Sequence, residues 1–270
     1  MSSLQQLSLY ATVQSSKIPQ LLFTVSALTG MRPLDLRQQH IIFSPTISGH
    51  GPGSSAGVAG GPAGAVSPLE SSRIDVSREM PEAAAAAEDG VGKSEAPEWT
   101  LTIPTIPESG KKPVQVQAVS KTTFRKSEEA QADNTSTLFR FLRALNYAYA
   151  YDYLEKGYLF VHNGIVIIKL SQIAPQKPLQ LHEIPVGGDG DLAAGTVANG
   201  RRFENAKFVN TWVMHAYVEV VTGPETVGDD LEKVKIAIER LESLKAELSG
   251  IVELEIPDRA LLDPRVQLRR

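Results

Sequence analysis

The chain has no cysteine, which excludes disulfides and thiolate zinc sites. It has no apolar run approaching the roughly 20 residues that a membrane helix requires, and nothing at its start reads as a secretory leader. A soluble intracellular protein with no membrane partner is therefore expected. Excess charge is also missing. The net value of −4 lacks the basic excess that marks nucleic-acid binders, so no direct nucleic-acid contact is expected. Histidine is sparse. His40, His50, His162, His182 and His215 show no ligand spacing, and no metal site, cofactor site or catalytic constellation emerges. What remains is ordinary globular material: 42% apolar content over 270 residues, enough for a core in one large or two small domains.

The most organised stretch is 208–266. Residues 207–221 read KFVNTWVMHAYVEVV, with Phe208, Trp212, Met214, Val218 and Val220 on one parity and a mixed face opposite. That density of β-branched and aromatic residues predicts a long strand. Gly223-Pro224 stops it. Asp229 followed by Glu232 resembles a capping box. Leu231, Val234, Ile238, Leu241, Leu244 and Leu248 then form one helical stripe. Gly250 suits a left-handed helix end, and 251–256 (IVELEI) alternates as a second strand closed by Pro257.

Upstream, 5–13 alternates as a strand. Ser16 is placed as the cap of a helix bearing Pro19, Leu21, Leu22, Val25 and Leu28 and ended by Gly30. Residues 34–43 hold another strand. From 48 to 97 the composition collapses into Gly, Ala, Ser, Pro and Glu, too little apolar surface to offset ordering entropy, and this reads as a disordered insertion. Within it, SRIDVSREM carries Ile74, Val76 and Met80 and stays open as an ordered piece; the alanines at 83–87 suit a turn or two of helix. Residues 98–103 and 114–119 alternate as strands. Thr135 or Ser136 then caps a helix with Leu138, Phe139, Leu142 and Leu145, and Asn146 suits its left-handed close. Tyr147, Tyr149, Tyr151 and Tyr153 share one parity in a strand running to His162. Asn163-Gly164 predicts a hairpin, with 165–173 returning. A second Gly- and Pro-rich loop spans 174–204. The expected fold is α+β: one antiparallel, tunnel-like β-barrel spanning 1–270, with a few flanking helices and two long disordered insertions.

Four features resemble chemistry. GVGKS at 90–94 lacks the upstream glycine, strand and helix of a phosphate-binding loop. Glu253 and Glu255 would share one face of a strand, as paired carboxylates do when they hold a metal, and tunnel-type triphosphatases look like this. Pro257 stands where such an enzyme has lysine, and Lys156 and Lys169 are the only expected inward bases. The solvent face of the strand is the simpler account of both glutamates. The tyrosine row could stack bases, but without a basic patch it reads better as barrel wall or protein interface. The tail PDRALLDPRV places Pro257, Asp258, Arg259, Asp263 and Arg265 either in self-docking ion pairs, Asp258 with Arg259 and Asp263 with Arg265, or against a partner.

Five segments, taken in order, point to a family: QQLSLYATV, EWTLTIPTIP, RFLRALNYAYAYDYLEKGYLFVHNGIVIIKL, LKAELSGIVELEIPDR and LLDPRV. This ordered set resembles the subunit 18 family of the Mediator complex of RNA polymerase II transcription. The resemblance implies a tunnel-type barrel paired with a related barrel in a nuclear, non-catalytic assembly subunit that links transcription regulators to RNA polymerase II. It implies a heterodimer with Mediator subunit 20, a C-terminal helix of Mediator subunit 8, and the other head-module subunits as partners. The alternative is a metal-dependent, tunnel-fold triphosphate phosphohydrolase using Glu253 and Glu255. A wide basic lumen would favour the enzyme, a packed apolar one the scaffold.

Overall fold

A computed structural model describes residues 3–46, 72–80, 98–110, 112–124, 134–175, 206–222 and 227–265. The GVGKS stretch, the alanines at 83–87 and most of both insertions lie outside these residues.

The strands are β1 (Ser3–Gln14), β2 (Leu34–Pro45), β3 (Ile74–Glu79), β4 (Trp99–Pro104), β5 (Gln115–Phe124), β6 (Tyr147–His162), β7 (Val166–Pro175) and β8 (Thr211–Thr222). They close into one antiparallel barrel in the order β1-β5-β4-β3-β2-β6-β7-β8. The piece around Ile74 that the sequence left open is thus a barrel strand, pairing Val76 with Ile41 on one side and Leu101 on the other. Closure gives every strand a neighbour on both sides, which is how an all-antiparallel sheet avoids open edges along most of its length.

Residues directly opposite one another share a face, so the register sorts the side chains. Leu7, Leu9 and Val13 of β1, Val166, Ile168 and Leu170 of β7, and Met214, Ala216, Val218 and Val220 of β8 point outward. Two helices cover them: α1 (Ile18–Thr29), through Ile18, Leu21 and Val25, and α3 (Val227–Leu248), through Ala237, Leu241, Leu244 and Leu248. Full burial of a leucine stabilises by about 1.5–3 kcal/mol, so this outer seam is a large share of the driving force. The short helix α2 (Asn134–Ala144) covers a second seam with Leu138 and Leu142 against Ile41, Phe43, Ile74, Val76, Trp99 and Leu101. The apolar core therefore lies between barrel and helices rather than inside the barrel.

Local punctuation explains the element ends. Gly30 (φ 66), Asn146 (φ 62) and Gly250 (φ 87) close α1, α2 and α3 in left-handed conformations, as their residue types suggest. Asn163 (φ 50) and Gly164 (φ 75) turn β6 into β7, with the Ile165 amide donating to the His162 carbonyl at 3.3 Å. Gly157 is needed for space: a Cβ there would lie 2.0 Å from the carbonyl oxygen of Leu170 on β7.

Several expectations are corrected. Ser16 does not cap α1; it lies in a single 3-10 turn (Ser15–Lys17), and the Ser15 hydroxyl bonds Asn210 instead. The strand expected from 207 begins at Thr211. Helix α3 starts at Val227, so Asp229 is inside it and the capping-box reading fails; Leu231, placed on the buried stripe, is 73% exposed and Ala237 takes that role. Residues 251–256 form no strand. Val252 and Leu254 are drawn into the α3 seam, leaving one antiparallel bridge, Glu255 to Tyr10.

Candidate functional site

The other face of each strand points into the lumen, and it is polar. Along β2 the lumen parity gives His40; β3 gives Asp75, β6 gives Tyr153 and Glu155, β7 gives Lys169 and Ser171, and β8 gives His215, Tyr217 and Glu219. His40 lies between β3 and β6. Its Nδ1 is 3.0 Å from Asp75 Oδ2, its Nε2 is 3.0 Å from Glu155 Oε2, and its ring stacks on Tyr153 at 4.6 Å. Lys169 Nζ reaches the same Glu155 oxygen at 2.6 Å, and the Ser171 hydroxyl donates to the other oxygen at 2.6 Å.

Burial works against a charged His40 ring, but the two carboxylates outweigh it and raise the pKa to about 9. Burial would likewise raise Glu155, yet His40 and Lys169 bring it down to about 2. The site at neutral pH is thus a fixed chain of alternating charges. Lower in the lumen His215 is stacked between Tyr10 at 4.3 Å and Tyr217 at 4.6 Å. Burial holds it neutral, with a pKa lowered to about 3, and pushes Tyr217 up to about 12. The His215 Nε2 has no hydrogen-bond partner among the described residues. Lys121 of β5 pairs with Glu219, which also accepts from Gln6.

The lumen is therefore neither the basic tunnel nor the apolar plug that the two sequence readings set against each other. Its cations face carboxylates one for one: Lys169 and His40 with Glu155 and Asp75, Lys121 with Glu219. Lys169 points inward as expected. Lys156 does not; its ammonium lies over the Phe208 ring at 4.1 Å on the outer face. Among the described residues no group of three His, Asp or Glu side chains is arranged to hold a metal. Glu253 and Glu255 are both exposed, on a segment outside the barrel wall, and share no face of a barrel strand.

The tyrosine row is divided. Ile42 pairs with Tyr151 but the next residue, Phe43, pairs with Tyr149, so Ala150 is a bulge that reverses the facing of β6. Tyr147 and Tyr149 pack outside against the α2 seam, and the Tyr149 hydroxyl donates to Asp152 at 2.7 Å. Tyr153 faces the lumen, and Tyr151 is 43% exposed at its mouth. A one-residue slip of this kind flips every side chain beyond it, and no residue type announces it.

The C-terminal segment is a strap across one end of the barrel. It bridges Tyr10 through Glu255, with reciprocal backbone bonds of 2.8 Å, and reaches Arg73 near β3, whose amide donates to Pro264 at 2.9 Å. Asp258 does not pair with Arg259. Its carboxylate caps the one-turn helix α4 (Arg259–Leu262) by accepting from the Ala260 amide, while Arg259 donates to the Pro107 carbonyl at 2.7 Å. The Asp263–Arg265 pair does form, at 2.5 Å, and Arg265 holds the Asp263 carboxyl below its usual range. Pro257 lines a cleft between β1 and the strap. Sequence reasoning missed His40, Asp75, Glu155, Lys121 and Glu219; only the cross-strand register brings them together.

A family model described as Med18 protein matches residues 5–265. The chain belongs to that family. The Mediator of RNA polymerase II transcription subunit 18 of Yarrowia lipolytica is 26% identical over 274 residues, spanning 98% of this chain and 100% of the relative. Its namesake from Candida glabrata is 28% identical over 171 residues, 63% of this chain and 52% of that protein. A chain in the structure of the Schizosaccharomyces pombe Mediator head module superposes with a TM-score of 0.58 at 14% identity, covering 94% of this chain and 98% of that one. At that identity the superposition speaks for the shared barrel fold. The Med18 family match covers β2 to β8, all of β1 from Gln5 onward, and the strap.

Proposed function

We propose that this chain is a structural, non-catalytic subunit of Mediator, seated in the head module and linking transcription regulators to RNA polymerase II. The observation that carries the proposal is the family match across 5–265, together with a closed barrel of the kind found in a head-module chain. The lumen chemistry agrees with it. Its ionic groups are engaged with one another, which suits a rigid wall better than a site that must bind and release a polyanion.

The finer reading is a heterodimer with Mediator subunit 20 through the barrel, a helix of subunit 8 as tether, contact with the other head subunits, and residence in the nucleus. The family resemblance supports these partners. On the structure, the best-placed contact surface is the exposed face of α2 and its end: Phe141 and Leu145, one helical turn apart, are 51% and 50% exposed. Exposed apolar groups that cluster mark partner surfaces more often than isolated ones do. The strap adds Leu261, 79% exposed, beside Arg259.

Co-expression with subunit 20 tests this. One co-eluting heterodimer, lost on Phe141→Asp with Leu145→Asp while the barrel stays folded by circular dichroism, is the expected result. Separate elution at micromolar mixing would overturn the heterodimer. The phosphohydrolase reading is tested apart: manganese-stimulated phosphate release that disappears in Glu253→Gln would restore it.

A further inference from the structure

Between β1 and the strap lies a cleft of about 630 Å3, lined by residues 10–14 of β1, Lys17, Val213, residues 250–253 and 255–257. This volume is within the roughly 300–1,000 Å3 of ligand-sized sites. Its floor is an open strand edge. The partner β5 pairs with β1 only as far as Ser8, and the Glu255 bridge satisfies Tyr10. Peptide groups that point toward one neighbouring strand recur every second residue. The next ones on this side, at Thr12 and at the Gln14 amide, have no backbone partner among the described residues.

The strap itself would suit that edge by register. Continuing antiparallel from the Glu255–Tyr10 bridge, Glu253 falls opposite Thr12 and Ile251 opposite Gln14. It does not close, because Val252 (7% exposed) and Leu254 (fully buried) anchor it in the α3 seam instead. The gap therefore has one ready hydrogen-bonding wall and one wall of apolar and acidic side chains. Ile256 is 40% exposed, and both Glu253 and Glu255 are exposed with no cation in contact among the described residues. The Glu253 carboxylate accepts only the Gly250 amide at 3.0 Å. Lys17 is the single base in the lining, against two carboxylates.

We propose that this cleft is a β-augmentation site: it takes an extended segment of a partner protein, alternating apolar and basic residues, that pairs with β1 at Thr12 and Gln14 beyond the Glu255 bridge. Main-chain bonds supply the affinity and the glutamates the preference for lysine or arginine. The site is independent of the exposed face of α2, and it specifies a partner's chemistry where family membership does not.

The test uses the full chain, labelled for amide NMR, and two acetylated, amidated hexapeptides, Val-Lys-Val-Lys-Val-Lys and Val-Glu-Val-Glu-Val-Glu. The lysine peptide should bind at least about tenfold more tightly, the discrimination that two charge contacts readily supply, and it should shift and protect the Thr12 and Gln14 amides. N-methylation of its alternate amides should weaken binding by a similar factor, with the protein unchanged. Glu253→Lys combined with Glu255→Lys, both exposed sites that leave folding intact, should reverse the preference. Equal binding of the two peptides, no binding of either, unchanged binding after N-methylation, or amide shifts centred elsewhere would each overturn the proposal. So would self-association through this edge in the absence of peptide.

Discussion

His40 and Glu155 sit diagonally on adjacent strands, β2 and β6, with the imidazole Nε2 3.0 Å from the carboxylate in the buried lumen. The pair makes the stability of the barrel depend on pH. His40, raised from 6.5 to about 9 in the folded state, contributes stability that is fully present below pH 6.5 and is lost as pH rises through about 9. Glu155, lowered from 4.5 to about 2, contributes above pH 4.5 and loses it as pH falls through about 2. His215, held neutral by burial with its pKa lowered from 6.5 to about 3, costs stability as pH falls below 6.5, so the thermal midpoint should peak near pH 6.5 and fall on either side. A midpoint that stays flat from pH 6.5 to 9.5 would contradict the charged His40.

His40→Gln should remove the alkaline slope and destabilise the chain by about 3 kcal/mol or more, since Asp75 and Glu155 then lose their common cation. Urea unfolding at pH 6 and pH 9 measures both effects. Glu155 keeps Lys169 and Ser171, so the barrel still closes.

Gly157→Ala is the backbone counterpart. The added methyl meets the Leu170 carbonyl at 2.0 Å, a group that cannot swing away because it belongs to the β6–β7 ladder. Loss of soluble protein, or destabilisation of roughly 3 kcal/mol or more, is expected. A wild-type urea midpoint would show that the two strands are further apart than this.

Replacing both Asn163 and Gly164 by valine demands positive φ from two β-branched residues (φ 50 and 75 in the native turn). Reduced soluble yield and a lowered thermal midpoint are expected, because the turn fixes the register of the β6–β7 hairpin. Deleting Gly51–Ala65, by contrast, should leave the midpoint nearly unchanged, since that composition supplies little core.

Much of this architecture was legible. The strands with clean alternation, such as β1 and β8, and the left-handed closes at Gly30, Asn146 and Gly250, follow from residue type and spacing. What failed depended on distant partners. Residues 251–256 alternate like a strand, but Val252 and Leu254 gain more from the α3 seam than from a ladder. The Ala150 bulge splits a tyrosine row that shares one parity in the sequence. Most of all, local pattern could not reveal that the lumen is ionic. His40, Asp75 and Glu155 are separated by 35 and 115 residues from their partners, and each alone resembles the polar side of a half-exposed strand.

Membership in Mediator as a structural subunit has a direct consequence in the cell. Affinity purification of the tagged full-length chain from nuclear extract of its own cells, followed by quantitative mass spectrometry, tests it directly. The account predicts that the head-module subunits co-purify in near-equal amounts, with subunit 20 still bound at the highest salt, and with RNA polymerase II present at lower yield. Recovery of the chain as a lone species, or with partners that include no Mediator subunit, would contradict it.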